Sequence, residues 1–150
     1  MSKTLKTAIP FIILVVFAGT SIAPLLSTNS MKSLINFSGT AILSNTGDQT
    51  QTGTAERVYE DNTYTITLSA NLKDPTEGSH YEGWIVRLSP FKTTSIGQLS
   101  KNTDGTWIAS YSEQNPQTDY ETFTTVIVTE EIGTGTPEIP NSTHALEGTF

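Results

Sequence analysis

The segment Thr63-Tyr-Thr-Ile-Thr-Leu-Ser-Ala70 decides the fold class. Apolar side chains alternate with hydroxyl side chains over its eight residues, which is the period of a β-strand with one face in a core and the other in solvent. Threonine suits the solvent face because its branched Cβ fits a pleated backbone. The side chains expected to face inward are Tyr64, Ile66, Leu68 and Ala70.

Seven further segments have strand-like patterns and are separated by turn-forming residues. They are residues 37–43, 54–59, 80–88, 94–99, 106–111, 122–129 and 144–150. Strands at intervals of about ten residues are typical of antiparallel all-β domains. We predict an antiparallel β-sandwich of about seven to eight strands, preceded by one N-terminal hydrophobic helix. The sequence Asn-Thr-Asp-Gly at 102–105 predicts the turn of a hairpin between residues 94–99 and 106–111.

The N-terminal region has the pattern of an export signal. An uncharged apolar run at residues 8–26 follows Lys3 and Lys6, and about 18 apolar residues are enough to span a bilayer. We therefore predict that residues 1–26 are a signal peptide or a membrane anchor. The two lysines orient an anchor with its N-terminus in the cytoplasm, so the rest of the chain lies outside the cytoplasm.

Cleavage and retention of this segment are both open from the sequence. Ser21 and Ala23 are the small residues that signal peptidase requires, whereas Pro24 directly after that cut opposes cleavage. Retention as an anchor is favoured, and cleavage would make the protein secreted. In either case residues 27–36 form a polar tether and residues 37–150 form the extracytoplasmic domain.

The composition of the exported part limits its partners. Beyond residue 26 the chain has 6 basic and 15 acidic residues, a net charge of −9. This balance argues against nucleic acid or anionic lipid as a partner of the domain, because both require a cationic surface. The chain contains no cysteine, and a domain of this size can bury enough apolar surface to fold without disulfides.

A set of short motifs spans residues 79–150. These motifs are Tyr81-Glu-Gly-Trp-Ile-Val86, Ser95-Ile-Gly-Gln-Leu99, Asp104-Gly105, Val126-Ile-Val-Thr-Glu-Glu131 and Ala145-Leu-Glu-Gly148. In order and spacing they resemble the extracytoplasmic C-terminal domain of the anti-sigma-K factor family. The resemblance implies a β-sandwich outside the membrane that senses, or that presents its stalk to regulatory proteolysis. The family's cytoplasmic sigma-binding domain would precede the membrane segment, where only residues 1–7 stand, so we expect a module used without that domain.

The sequence offers few candidates for a site. Trp84, Trp107 and Tyr81 are candidates for a ligand or interaction surface, although tryptophans on such strands more often belong to the core. Asn36 and Asn141 lie in Asn-x-Ser/Thr sequons and are open to N-glycosylation. We assign no catalytic, metal-binding or cofactor-binding residue and expect no cofactor.

Two acidic groups could bind a cation, but each has a simpler interpretation. Asp74, Glu77 and His80 fit no established metal motif, and solvated loop charge is favoured. Glu130 and Glu131 at the end of a long strand could bind a cation or a peptide, whereas charge that keeps an edge soluble is the simpler reading.

Three functions remain open. The leading one is a membrane-tethered or secreted, non-catalytic module for protein interaction or envelope sensing, anchored through residues 8–26, with a protein partner in the cell envelope and no nucleic acid. The second is a structural cell-surface subunit, a homo-oligomer in which residues 27–34 pair with an open sheet edge of another copy. The third is a small glycan-binding or hydrolytic module, which requires an exposed Trp84 or Trp107.

Overall fold

A computed structural model describes residues 36–45 and 47–150 of the chain. The predicted helix, the segment 1–26 and the tether up to residue 35 lie outside the described residues. Among the residues that are described, no helix is long and apolar enough to cross a membrane.

The described chain is all-β and antiparallel, which confirms the predicted class. Its strands are β1 (Phe37–Ser44), β2 (Thr52–Glu60), β3 (Thr63–Asn71), β4 (Ser79–Leu88), β5 (Phe91–Gln98), β6 (Ser100–Lys101), β7 (Trp107–Gln114), β8 (Thr125–Ile132) and β9 (His144–Thr149). One short 3₁₀ turn, Tyr120–Thr122, precedes β8. Each of the eight predicted segments contains a strand, and the ninth strand is the two-residue β6.

The nine strands form one nearly closed sheet, in the order β5-β4-β8-β9-β1-β2-β3-β7-β6. The connection between β9 and β1 is a single pair, Ser44 with Glu147. The two halves of the sheet face one another, because an added Cβ at Gly83 on β4 would lie 3.5 Å from Leu68 on β3. One core therefore lies between the halves.

The predicted hairpin between residues 94–99 and 106–111 is wrong in its pairing. β5 pairs along its length with β4 through the turn at Ser89 and Pro90, and of residues 94–101 only those of β6 pair with β7. The pairing with β4 ends at Gln98, next to Gly97, whose φ of +111° suits glycine. The Leu99 amide still donates to the Tyr81 carbonyl of β4 at 2.8 Å, and the predicted turn at residues 102–105 then joins β6 to β7.

The alternating pattern of β3 produces the predicted core face, because Tyr64, Ile66, Leu68 and Ala70 are all buried. Aromatic stacking extends this core, with the Tyr64 and Tyr120 rings 3.9 Å apart and nearly parallel. Such stacked aromatic pairs add stability beyond the burial of their area.

Arg57 connects separate parts of the chain at the end of the sheet where β1 begins and β9 ends. Its buried guanidinium donates to the backbone carbonyls of Tyr120 and Phe123. The same group lies 4.0 Å from the Phe150 ring centroid and 5.1 Å from that of Phe37. Arg57 thereby holds the first and last strands to the segment that enters β8.

Candidate functional site

A cleft of about 410 Å³ lies at the end of the sheet where β3 and β8 finish and β4 and β9 begin. Loops from three parts of the chain form its wall. The lining includes Asn45, Lys73, Thr76, Glu130, Ile132 and Asn141. We call this feature the distal cleft.

Two charged side chains of the distal cleft, Glu130 and Lys73, differ in their bonding partners. Glu130 accepts a hydrogen bond from the Thr76 amide at 2.6 Å. Hydrogen bonding from Thr76 lowers the pKa of Glu130, and the charge of Lys73 adds a smaller effect of the same sign. Lys73 itself makes no salt bridge within 4 Å to any carboxylate of the described residues. The ammonium group is therefore available to a ligand.

An apolar side chain lines the same cleft as this cation. Ile132 is the last residue of β8, lines the distal cleft and is 89% exposed. Exposed single apolar residues are common on protein surfaces, but here the side chain borders a concave, polar site. The distal cleft can thus contact an anionic and an apolar group of one ligand.

Hydrogen bonds behind the wall fix the β8–β9 loop, residues 133–143. The indole of Trp84 donates to the Thr129 hydroxyl at 2.9 Å, and that hydroxyl donates to Glu131 at 2.5 Å. The same oxygen of Glu131 accepts from the Asn141 amide at 2.8 Å. Because the network is buried, it holds the end of the loop in one position.

His80 holds the start of the same loop. Its Nδ1 lies 2.9 Å from the Gly133 carbonyl oxygen and must carry the proton to donate there. Its Nε2 lies 3.6 Å from an oxygen of the fully buried Glu82, whose other oxygen accepts from the Ser95 hydroxyl. The loop that lines the distal cleft is therefore fastened to the sheet at both ends.

The three aromatic candidates from the sequence lie in the interior. Trp84, Trp107 and Tyr81 are 2%, 9% and 1% exposed. The Trp107 indole donates to the Leu72 carbonyl at 3.2 Å, and the Tyr81 and Trp107 rings meet edge to face at 5.4 Å. They do not form an exposed stacking surface, because their ring faces pack against other protein groups. Tyr81 alone of the three borders the distal cleft.

The two sequons lie in different places. Asn36 is exposed directly before β1. Asn141 lines the distal cleft, where its side-chain amide donates to the Glu130 carbonyl at 3.2 Å and its oxygen accepts from the Thr143 amide at 3.0 Å. The structure thus brings together Tyr81 and Asn141 but not Asn36.

The acidic loop group is not assembled into a site. His80 is buried in β4, whereas Asp74 is exposed and pairs with Lys101. Across residues 36–45 and 47–150, no three His, Cys, Asp or Glu side chains are placed to hold a metal ion.

The sequence analysis missed Lys73 and Ile132. Both lie at the ends of strands or in loops, where periodicity gives no information about neighbours in space. The two glutamates near the end of β8 were the sequence feature that could have indicated the distal cleft. Glu130 lines the cleft, and Glu131 accepts a hydrogen bond from the loop that forms its wall.

The chain matches no protein-family model, no curated protein and no solved structure. The interpretation of the distal cleft therefore rests on its own geometry.

Proposed function

We propose that the chain is a non-catalytic β-sandwich module that binds a protein partner of the cell envelope through the distal cleft. In this proposal residues 8–26 tether it to the membrane and the domain lies outside the cytoplasm. The motifs that resemble the anti-sigma-K factor extracytoplasmic domain support a role in sensing or interaction.

The observation that carries this proposal is one cleft that combines the exposed Ile132 with Lys73, which makes no salt bridge to a described carboxylate. An extended segment of a partner could place a carboxylate near the lysine and an apolar side chain against the isoleucine. A wall fixed by Glu131 and His80 reduces the ordering cost of binding.

Photo-crosslinking in native membranes tests this function. Replacing Ile132 in the full chain by photo-reactive p-benzoylphenylalanine is expected to yield a discrete adduct with one envelope protein. The same replacement at Thr67, an exposed residue of β3, is the control. We expect Lys73→Gln to reduce the adduct yield from Ile132. An identical adduct pattern from the two positions would contradict the proposal.

The strand-exchange subunit is a second candidate, favoured by one observation. β5 ends the sheet and pairs only with β4 among the described strands. Residues 27–34 of another copy could add to that edge. Deletion of these residues would then abolish oligomers of the detergent-solubilised chain in size-exclusion chromatography, whereas the tethered module predicts an unchanged elution volume.

A further inference from the structure

The hairpin that joins β4 to β5 ends in exposed apolar side chains. Leu88 and Phe91 lie directly opposite one another in the register and are 67% and 70% exposed. Exposure of two large apolar side chains at a hairpin turn is unfavourable in water, and covering them with another surface is favourable.

Two cations lie next to this apolar pair. Arg87 and Lys92 are also direct partners in the register, and like charges in that position disfavour pairing. Neither makes a salt bridge to a described carboxylate. Arg87 instead donates to the Pro90 carbonyl at 3.0 Å and lies 5.5 Å over the Phe123 ring. Apolar and cationic side chains thus alternate along both strands of the tip.

The tip lies at the end of the domain where the tether enters. The Phe37 ring contacts Arg57, Arg57 binds the Phe123 carbonyl, and the Phe123 ring contacts Arg87. The distal cleft begins at the other end of β4, whose ten residues span about 30 Å. A tether at residues 27–36 would therefore join the domain at the hairpin end, where β1 begins, and not at the end that holds the distal cleft.

The chemistry of the tip suits a bilayer interface. Apolar side chains enter the boundary between headgroups and acyl chains, while cations beside them bind lipid phosphates. Acidic side chains at the same end lie on other segments of the chain. They include Glu60, Asp61, Glu113, Asp119 and Glu121. Since phosphates repel them, the β4–β5 side of this end is the side whose chemistry suits a membrane.

We propose that the hairpin tip, residues 87–92, inserts into the bilayer interface and holds the domain with the distal cleft directed away from the membrane. This inference rests on the proposed tether at residues 8–26. It is independent of which protein occupies the distal cleft.

The natural absence of cysteine allows a direct test. The full chain with the single substitution Ser89→Cys is labelled at the new thiol with the environment-sensitive dye NBD. The matched control is Thr67→Cys, labelled in the same way. After reconstitution into phosphatidylcholine vesicles, we expect a blue-shifted emission and strong quenching by spin-labelled lipid for the Ser89 label alone. Adding Leu88→Ser and Phe91→Ser, both exposed, should abolish the shift and the quenching.

The outcomes separate this inference from the proposed tether. A Ser89 label that stays as water-exposed as the Thr67 label, in a chain that co-sediments with the vesicles, would overturn the role of the hairpin and leave the tether intact. A chain that does not co-sediment would overturn the tether and this inference together. The photo-crosslinking at Ile132 tests the distal cleft separately.

Discussion

Gly148 lies where β9 meets β1, and its missing side chain allows that contact. A Cβ at this position would overlap the carbonyl oxygen of Ile42. We expect Gly148→Ala to lower the free energy of unfolding by about 1–3 kcal/mol through overpacking. Gly135 is a suitable control, because a Cβ there meets no atom within 4 Å. Equal urea midpoints for the two alanine variants would contradict this role of Gly148.

Two stacked tyrosines differ in what their hydroxyl groups bind. The Tyr120 hydroxyl donates to Glu113 at 2.5 Å, whereas the buried Tyr64 hydroxyl has no hydrogen-bond partner within the described chain. Tyr120→Phe should cost about 1–3 kcal/mol of unfolding free energy, and Tyr64→Phe should be neutral or stabilising. Thermal unfolding of both variants checks the difference, and a larger loss for Tyr64→Phe would refute it.

The same two tyrosines make the domain sensitive to alkali. Burial raises the pKa of Tyr64 and of Tyr120 above the ordinary value of 10.0. Above pH 10 the unfolded state therefore loses protons that the folded state retains, so stability falls as pH rises. Each tyrosine contributes up to about 1.4 kcal/mol per pH unit. Urea unfolding between about pH 9 and pH 11 should show a smaller loss for Tyr64→Phe, and an equal loss would exclude Tyr64 as a source.

At the scale of elements, the β8–β9 loop depends on a buried carboxylate. Glu131 binds the Asn141 amide and the Thr129 hydroxyl. We expect Glu131→Ala to speed hydrogen exchange at the Asn141 amide at least tenfold, since that amide loses its acceptor. Glu138→Ala, at an exposed glutamate of the same loop, should leave the exchange rate unchanged. Similar rates in the two variants would show that Glu131 does not fix the loop.

Strands could be predicted from this sequence because a two-residue period is local. The face of β3 that carries Tyr64 and Ile66 is buried as its pattern predicts. Pairing is less local, since the turn at Ser89 and Pro90 pairs β5 with β4, whereas the turn at residues 102–105 joins only the short β6 to β7. No periodicity in residues 94–111 encodes that choice.

The burial of Trp84 shows a second limit. The alternating pattern of β4 correctly assigns its residues to two faces of the strand. Both faces are buried, however: Trp84 packs with Val86 and Ile127 on one face, and Ile85 joins the main core on the other. Whether the outer face of a strand meets water depends on the segments that cover it. The sequence of the strand alone does not determine this.

At the scale of the whole molecule, the two ends of the domain present different side chains. The distal cleft at one end presents Lys73 and Ile132, and the hairpin tip at the other end presents Leu88 and Phe91 beside the entry of the tether. A module tethered at one end and open to a partner at the other is the architecture that we propose. The distal cleft could not be predicted, because residues between 45 and 145 converge on it only in the folded sheet.

The central claim is that the module stays attached to the membrane through residues 8–26. The N-terminal residue and the membrane partitioning of the native protein, measured by mass spectrometry after fractionation, test this claim directly. The proposal predicts an intact Met1 or Ser2 in the membrane pellet. A new terminus between Pro24 and Ser27 in the soluble fraction would contradict it and favour a secreted protein.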